Sequence, residues 1–225
     1  MVELSISGTW SDLPKEIASE LFAGATCSRL KAGETLFEIG DAGDGCYRLD
    51  TGVLKVSLIS PQVSERIVAI LTSGAIVGDL AVIDGLPRSA SVVALTNCEL
   101  RFLSQVAFDR LARQHPETYQ YLAKVLAARL RHADDTIASL AFLPIKGRVA
   151  RALLALAENL GEETDSGEIM IPHMISQGDI AAMAGVAREN TSRILSEWER
   201  QKLVTKSSGS YRIDDKAKLR DEINE

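Results

Sequence analysis

Residues 177–198 read Gln-Gly-Asp-Ile-Ala-Ala-Met-Ala-Gly-Val-Ala-Arg-Glu-Asn-Thr-Ser-Arg-Ile-Leu-Ser-Glu-Trp. The pattern is helix, glycine turn, helix. Ile180 and Ala181 fall in the first helix, with Ala181 small where two helices would cross. Gly185 suits the positive φ of a tight turn, and Val186 and Ile194 supply apolar residues beyond it. Ser176 is a favourable N-cap, and Asp179 three residues on completes an approximate capping box. On the second helix Arg188, Glu189 and Arg193 share one side and Thr191, Ile194 and Leu195 the other. Arg grips guanine O6 and N7 with two donors, and Glu accepts from cytosine N4 in the same major groove. The trio predicts a DNA-reading helix, against the plainer alternative of a helical pair that only packs.

The flanking sequence extends this to a winged helix-turn-helix. It contains a helix over Arg148–Asn159, a polar loop at Gly161–Gly167 and a strand at Ile169–Ile171. Helices follow at Ser176–Ala184 and Arg188–Gln201, and then two β runs between Leu203 and Ile213. Upstream, Pro144 and Gly147 mark a hinge. Before it, Tyr119, Leu122, Leu126, Leu130, Ala133, Ile137 and Leu140 step by three, four or their sum, predicting one apolar stripe on a helix of about seven turns. Such a helix either packs along its own domain or forms a two-fold dimer seam, and DNA-reading modules commonly work as symmetric pairs.

The first hundred residues are punctuated by Gly33, Gly40, Gly43, Gly45, Gly52, Gly74, Gly78 and Gly85, spacing too short for long helices. Between them, Tyr47–Leu49, Val53–Ile59, Ile67–Leu71, Ala90–Ala94 and Glu99–Phe102 predict the strands of an antiparallel barrel or roll. A short helix is expected around Leu13–Leu21. The fold class is therefore α+β: a β-roll over residues 1–110, a long helix and hinge over 111–143, and a winged helix-turn-helix over 144–225.

Composition narrows the function. With 46% hydrophobic and 25% charged residues the chain is ordinarily globular. No apolar run approaches a membrane span of about 20 residues. Met1–Trp10 lacks the pattern of a signal peptide, so a cytoplasmic protein is expected. Cys27, Cys46 and Cys98 are scattered and do not group with His115, His132 or His173. That argues against a metal site or disulfide framework and for buried or half-buried free thiols. The net charge of −6 requires any DNA-binding charge to be local. Arg188, Arg193, Arg200, Lys202, Lys206 and Arg212 supply it, against Glu189, Glu197 and Glu199. No nucleophile–base pair, Walker loop or metal signature supports catalysis, so no enzyme is expected.

A second stretch, Gly78-Asp-Leu-Ala-Val-Ile-Asp-Gly-Leu-Pro-Arg-Ser-Ala-Ser91, bears on ligand binding. Gly78 opens a short helix whose free N–H groups suit an anion. Arg88 and Ser89 add a donor fork and a hydroxyl, a match for phosphate. Asp79 is a carboxylate beside them, able to accept from a sugar hydroxyl. The alternative is a turn with a surface arginine and an acidic cap.

Together these stretches resemble the cyclic-AMP receptor protein/FNR family of bacterial transcription regulators. The resemblance is carried by Gln177–Arg193, by Leu140-Ala-Phe-Leu143, by Gly147-Arg-Val-Ala150 and by the 78–91 stretch. It implies that Arg188, Glu189 and Arg193 contact base pairs of palindromic sites with TGTGA-like halves. Asn190 would be a phosphate or base contact, with Ser176 and Gln177 completing the DNA-binding set. Arg88 and Ser89 would hold a cyclic phosphate, and Asp79 stands where the family usually has Glu on the ribose 2′-hydroxyl. Gly78, Leu80, Arg129, Ala133 and Asp134 complete the expected ligand set. Members that bind cyclic AMP carry a Thr-Ser pair on the long helix, where this chain has Ala133-Asp134. Asp134 can accept from the adenine amino group, and guanine offers two adjacent N–H donors to a carboxylate. The alternative is a solvated charge beside Asp135.

The resemblance thus implies a homodimer on double-stranded DNA, controlled by cyclic AMP or cyclic GMP with no metal. The polar stretch Glu158–Glu168 would face RNA polymerase. A haem or redox signal, or no effector at all, is the alternative within the same family.

Overall fold

A computed structural model describes residues 22, 24–60, 64–164, 167–172, 174–207 and 209–223. The expected helix at Leu13–Leu21 lies outside the described residues. Two compact units divide the described chain, one of residues up to 59 together with 69–131, the other of 60–68 and 132 onward.

The first unit is a β-roll built from two four-stranded sheets. One orders β1 (Thr26–Leu30), β8 (Cys98–Ser104), β3 (Gly45–Thr51) and β6 (Ile76–Val77). The other orders β2 (Thr35–Phe37), β7 (Ser91–Ala94), β4 (Leu54–Ile59) and β5 (Glu65–Leu71). Pairing is antiparallel, with Tyr47 opposite Phe102 and Val56 opposite Val92. Alternation along each strand sends Leu49, Leu54, Leu71, Val77, Val92, Ala94 and Leu100 into one core. The five expected strands are all present; β1, β2 and β6 were not anticipated. Cys46 and Cys98 are buried free thiols, but Cys27 is exposed, which corrects the expectation that all three are covered. Cys27 stands on β1, whose residues are exposed or only half-buried.

A short helix α1 (Asp79–Asp84) follows β6 as expected. The expected long helix is present as one element, α3 (Thr118–Phe142), and a helix that was not anticipated precedes it, α2 (Gln105–Gln114), capped by Ser104 Oγ accepting from the Ala107 amide. The break falls at His115, held out of helical geometry because a residue before proline is pushed toward extended backbone. The apolar stripe on α3 also splits. Leu122 and Val125 pack into a second roll core with Phe108, Leu111, Leu103, Ile76 and Val82. Tyr119, Leu130 and Ile137 stay more than half exposed. A period near 3.6 residues marks apolar positions but does not separate two adjoining faces.

The second unit contains α4 (Ile145–Leu160), α5 (Gln177–Ala184), α6 (Arg188–Arg200) and α7 (Lys216–Asp221). Its sheet orders β11 (Val204–Ser207), β12 (Ser210–Ile213), β10 (Ile169–Ile171) and β9 (Glu162–Glu163). Pro144 occupies the N-cap of α4, where a missing N–H costs nothing and the chain turns out of α3. Val149, Leu153, Leu154 and Leu156 of α4 are fully buried, as are Ile171, Ile180, Trp198 and Tyr211. The expected polar loop contains the short strand β9, paired to β10. Helix α7, capped by Asp215, was not expected. Among the described residues no helix is long and apolar enough to cross a membrane.

Candidate functional site

Two constellations carry chemistry, one in each unit. In the roll, Gly78 takes φ 81° and stands at the N-cap of α1. A side chain there would also lie 2.5 Å from Arg88 Nη1, so glycine is required for space as well as backbone.

Arg88 is 4% exposed. Its Nη1 donates to Gly45 O at 2.7 Å and to Gly78 O at 2.9 Å, and Nη2 donates to Asp44 Oδ1 at 3.1 Å. The guanidinium carbon lies 4.3 Å from the centre of the Phe37 ring. Nε–H is buried with no acceptor among the described residues. Asp79, 2% exposed, accepts from Arg129 Nη1 on Oδ1 at 2.8 Å, while Oδ2 is buried with no donor among the described residues. Arg129 Nη2 also donates to Ile76 O at 3.3 Å. The expected trio Asp79, Arg88 and Arg129 is therefore anchored in one unit, close behind Gly78. Burial pushes the neighbouring Cys46 thiol up to about 12, with the Asp79 carboxylate adding to it and Arg88 opposing. Ser89 is exposed, and Leu80 is at the surface of α1. Ala133 and Asp134 are exposed on α3, in the other unit.

An unsatisfied buried acceptor and an unsatisfied buried donor are costly in a folded chain. Here their chemistry suits a ligand that offers an O–H to Asp79 and an oxygen to Arg88. The supports of Arg88, namely Asp44, the Gly45 carbonyl and Phe37, were not anticipated. Asp44 and Gly45 lie more than forty residues away in sequence, beyond any local pattern.

In the second unit the capping box at α5 is complete. Ser176 Oγ accepts from the Asp179 amide at 3.1 Å, and Ser176 N and Oγ both donate to Asp179 Oδ2. The Ser176 hydroxyl is thus engaged in holding the helix start. Gly185 takes φ 61°, and its carbonyl accepts from Arg148 Nη1 at 3.1 Å. On α6, Thr191, Ile194, Leu195 and Trp198 are buried, while Arg188, Glu189 and Arg193 are exposed. The two faces are those expected from the sequence. Arg193 Nη2 donates to Asn190 Oδ1 at 2.7 Å, which orients that guanidinium. Gln177 is half-buried in the first turn of α5. Arg212, counted among the local positive charges, is instead neutralised by Asp214 at 2.6 Å and Glu168 at 3.5 Å.

The described chain thus carries a β-roll with a buried Arg–Asp cassette, a long helix and a winged helix-turn-helix. Residues 27–115 match the cyclic nucleotide-binding domain family, and residues 147–222 match the Crp-like helix-turn-helix domain family. The chain is 31% identical over 172 residues to the cAMP-activated global transcriptional regulator CRP of Salmonella typhimurium, covering 76% of this chain and 81% of that one. It is 29% identical over 187 residues to a CRP-like cAMP-activated global transcriptional regulator of Mycobacterium tuberculosis, covering 83% of each. A CRP-family transcriptional regulator from Thermus thermophilus is similar in structure, with TM-score 0.74 and 25% identity over 87% of this chain and 96% of that one. The chain belongs to the CRP/FNR family of transcription regulators.

Proposed function

We propose that this regulator binds a cyclic nucleotide, cyclic AMP or cyclic GMP, and thereby gates sequence-specific DNA binding as a homodimer. The observation that carries the reading is the pair of orphaned atoms in the cassette, Asp79 Oδ2 and Arg88 Nε. Asp79 Oδ2 accepts from the ribose 2′-hydroxyl, and Arg88 with Ser89 holds the cyclic phosphate. Gly78 and Leu80 shape the cassette around it, and Arg129 keeps Asp79 oriented. Ala133 and Asp134 meet the base. Asp134 accepts N–H donors from either purine, and a paired N–H edge favours guanine.

Three functional parts follow: an effector roll over 1–110, a dimerising helix and hinge over 111–143, and a reading domain over 144–225. The exposed Tyr119, Leu130 and Ile137 supply the two-fold seam. The paired α6 helices then enter successive major grooves about 34 Å apart, on a palindrome with TGTGA-like halves. Arg188, Glu189 and Arg193 read bases, and Asn190, Gln177 and Ser176 contribute contacts to base or backbone. The acidic stretch Glu158–Glu168 meets RNA polymerase, and the protein works in the bacterial cytoplasm. Nucleotide acts only through unequal affinity for the reading and non-reading arrangements.

Calorimetric titration of the full chain with cyclic AMP and cyclic GMP tests the effector. Binding of either at micromolar concentration, lost in Arg88→Leu, supports the reading. Absence of heat with both nucleotides overturns it and favours the effector-free branch of the family. An absorbance band between 350 and 600 nm in the purified protein points instead to haem or redox control.

A further inference from the structure

Lys146 lies two residues past Pro144, in the first turn of α4, and its ammonium reaches two other elements. Nζ is 3.0 Å from Glu197 Oε1 on α6 and 2.8 Å from Glu222 Oε2, just beyond α7. Gln201 Nε2 donates to the same Glu197 oxygen at 3.3 Å. Glu222 is 8% exposed, so its ion pair with Lys146 is largely shielded from solvent. The close contact with Glu222, followed by that with Glu197, holds the Lys146 ammonium above its usual range despite partial burial.

Independent contacts fix the same junction. A side chain at Gly147 would lie 2.5 Å from the Ile223 carbonyl oxygen, so α4 and the segment after α7 meet backbone to backbone. At the other end of α4, Glu158 attracts Lys216 at 4.0 Å and Arg220 at 3.8 Å. Helix α7 is therefore a strap along α4, fastened at both ends. Glu197 follows Glu189 and Arg193 at intervals of four residues, which puts it on the reading side of α6, one turn beyond Arg193.

We propose that Lys146 is a positioning residue for DNA reading. It clamps α6 and the α7 strap to the first turn after the hinge, so that α4 and α6 turn as one body when the hinge moves. The inference rests on α6 being the reading helix.

The test uses the full chain, a palindromic duplex with TGTGA half-sites and a scrambled duplex of equal length. Binding is read by fluorescence anisotropy at 25 °C, where each variant is folded by circular dichroism. Lys146→Gln is expected to weaken palindrome binding about tenfold, to leave scrambled-duplex binding unchanged and to keep the wild-type salt slope. Lys146→Arg retains most of the preference. Lys146→Gln combined with Glu197→Gln binds no better than Lys146→Gln alone. Full recovery in that double variant would reduce the role to charge repulsion and overturn positioning. So would a lower melting temperature with an unchanged preference for the palindrome.

Amide hydrogen exchange reads the clamp without DNA. Lys146→Gln is expected to speed exchange at Glu197–Gln201 and across α7 while leaving α5 unchanged; equal exchange overturns the proposal. Arg188→Ala is the control. If wild type and Arg188→Ala bind both duplexes alike, the reading role of α6 fails, and exchange still decides the clamp.

Discussion

Arg129 Nη1 donates to Asp79 Oδ1 at 2.8 Å, tying the long helix to the cassette through a carboxylate that is 2% exposed. The arginine is about one-third exposed, so solvent screens part of the pair. Removing it leaves both Asp79 oxygens buried without a donor among the described residues. Arg129→Gln is expected to lose about 1–3 kcal/mol in urea denaturation. Arg129→Gln with Asp79→Asn is expected to lose less than the sum of the two single changes. Strict additivity would show that the contact does not hold the cassette.

His132, on α3, is expected to make stability fall with acid. Burial lowers its pKa below 6.5, Arg151 lowers it further, and Asp135 partly opposes them. The unfolded chain therefore binds a proton more readily than the folded one. This contribution is present above pH 6.5 and is lost as pH falls toward the folded value. His132→Gln should show a shallower drop in urea midpoint between pH 7.5 and 5.5 than wild type. Parallel drops would contradict it.

The three thiols should separate by reactivity. Cys27 is exposed, Cys46 and Cys98 are buried, and burial pushes Cys46 up to about 12 and raises Cys98 as well. At pH 8 a thiol reagent is expected to label one cysteine quickly, and Cys27→Ser abolishes that fast phase. The folded value of Cys46 exceeds its unfolded 9.0, so its contribution to stability is present below pH 9 and is lost as pH climbs toward 12. Three equally fast thiols would contradict this burial.

Much of the reading module is legible in the sequence because its signals are local. Gly185, the Ser176–Asp179 box and the Arg188–Arg193 face all act within one or two helical turns. The cassette is half legible. Asp79 and Arg88 stand in one short stretch, but Asp44 and Gly45 meet Arg88 only through strand pairing. The split face of α3 is hidden for a different reason, since the same apolar residue types serve the roll core and the exposed line. Helix α7 is too short to show a period, and its anchors Lys146 and Glu158 lie far upstream.

Lys202 has φ 56° at the turn after α6, a conformation that costs a side-chain-bearing residue about 1–2 kcal/mol. Lys202→Gly relieves that strain but enlarges the unfolded ensemble. A net gain of about 0.5–1 kcal/mol is expected by urea denaturation. A loss would indicate that the Lys202 side chain makes a stabilising contact of its own.

Linkage between the two ends of the chain is tested most directly by titrating a palindromic TGTGA duplex with the protein, with and without saturating cyclic nucleotide. A coupling of about 1–3 kcal/mol tightens DNA binding roughly 5- to 150-fold, and Arg88→Leu removes the gain while keeping the nucleotide-free affinity. An affinity for the palindrome that is identical with and without bound nucleotide would contradict gated reading.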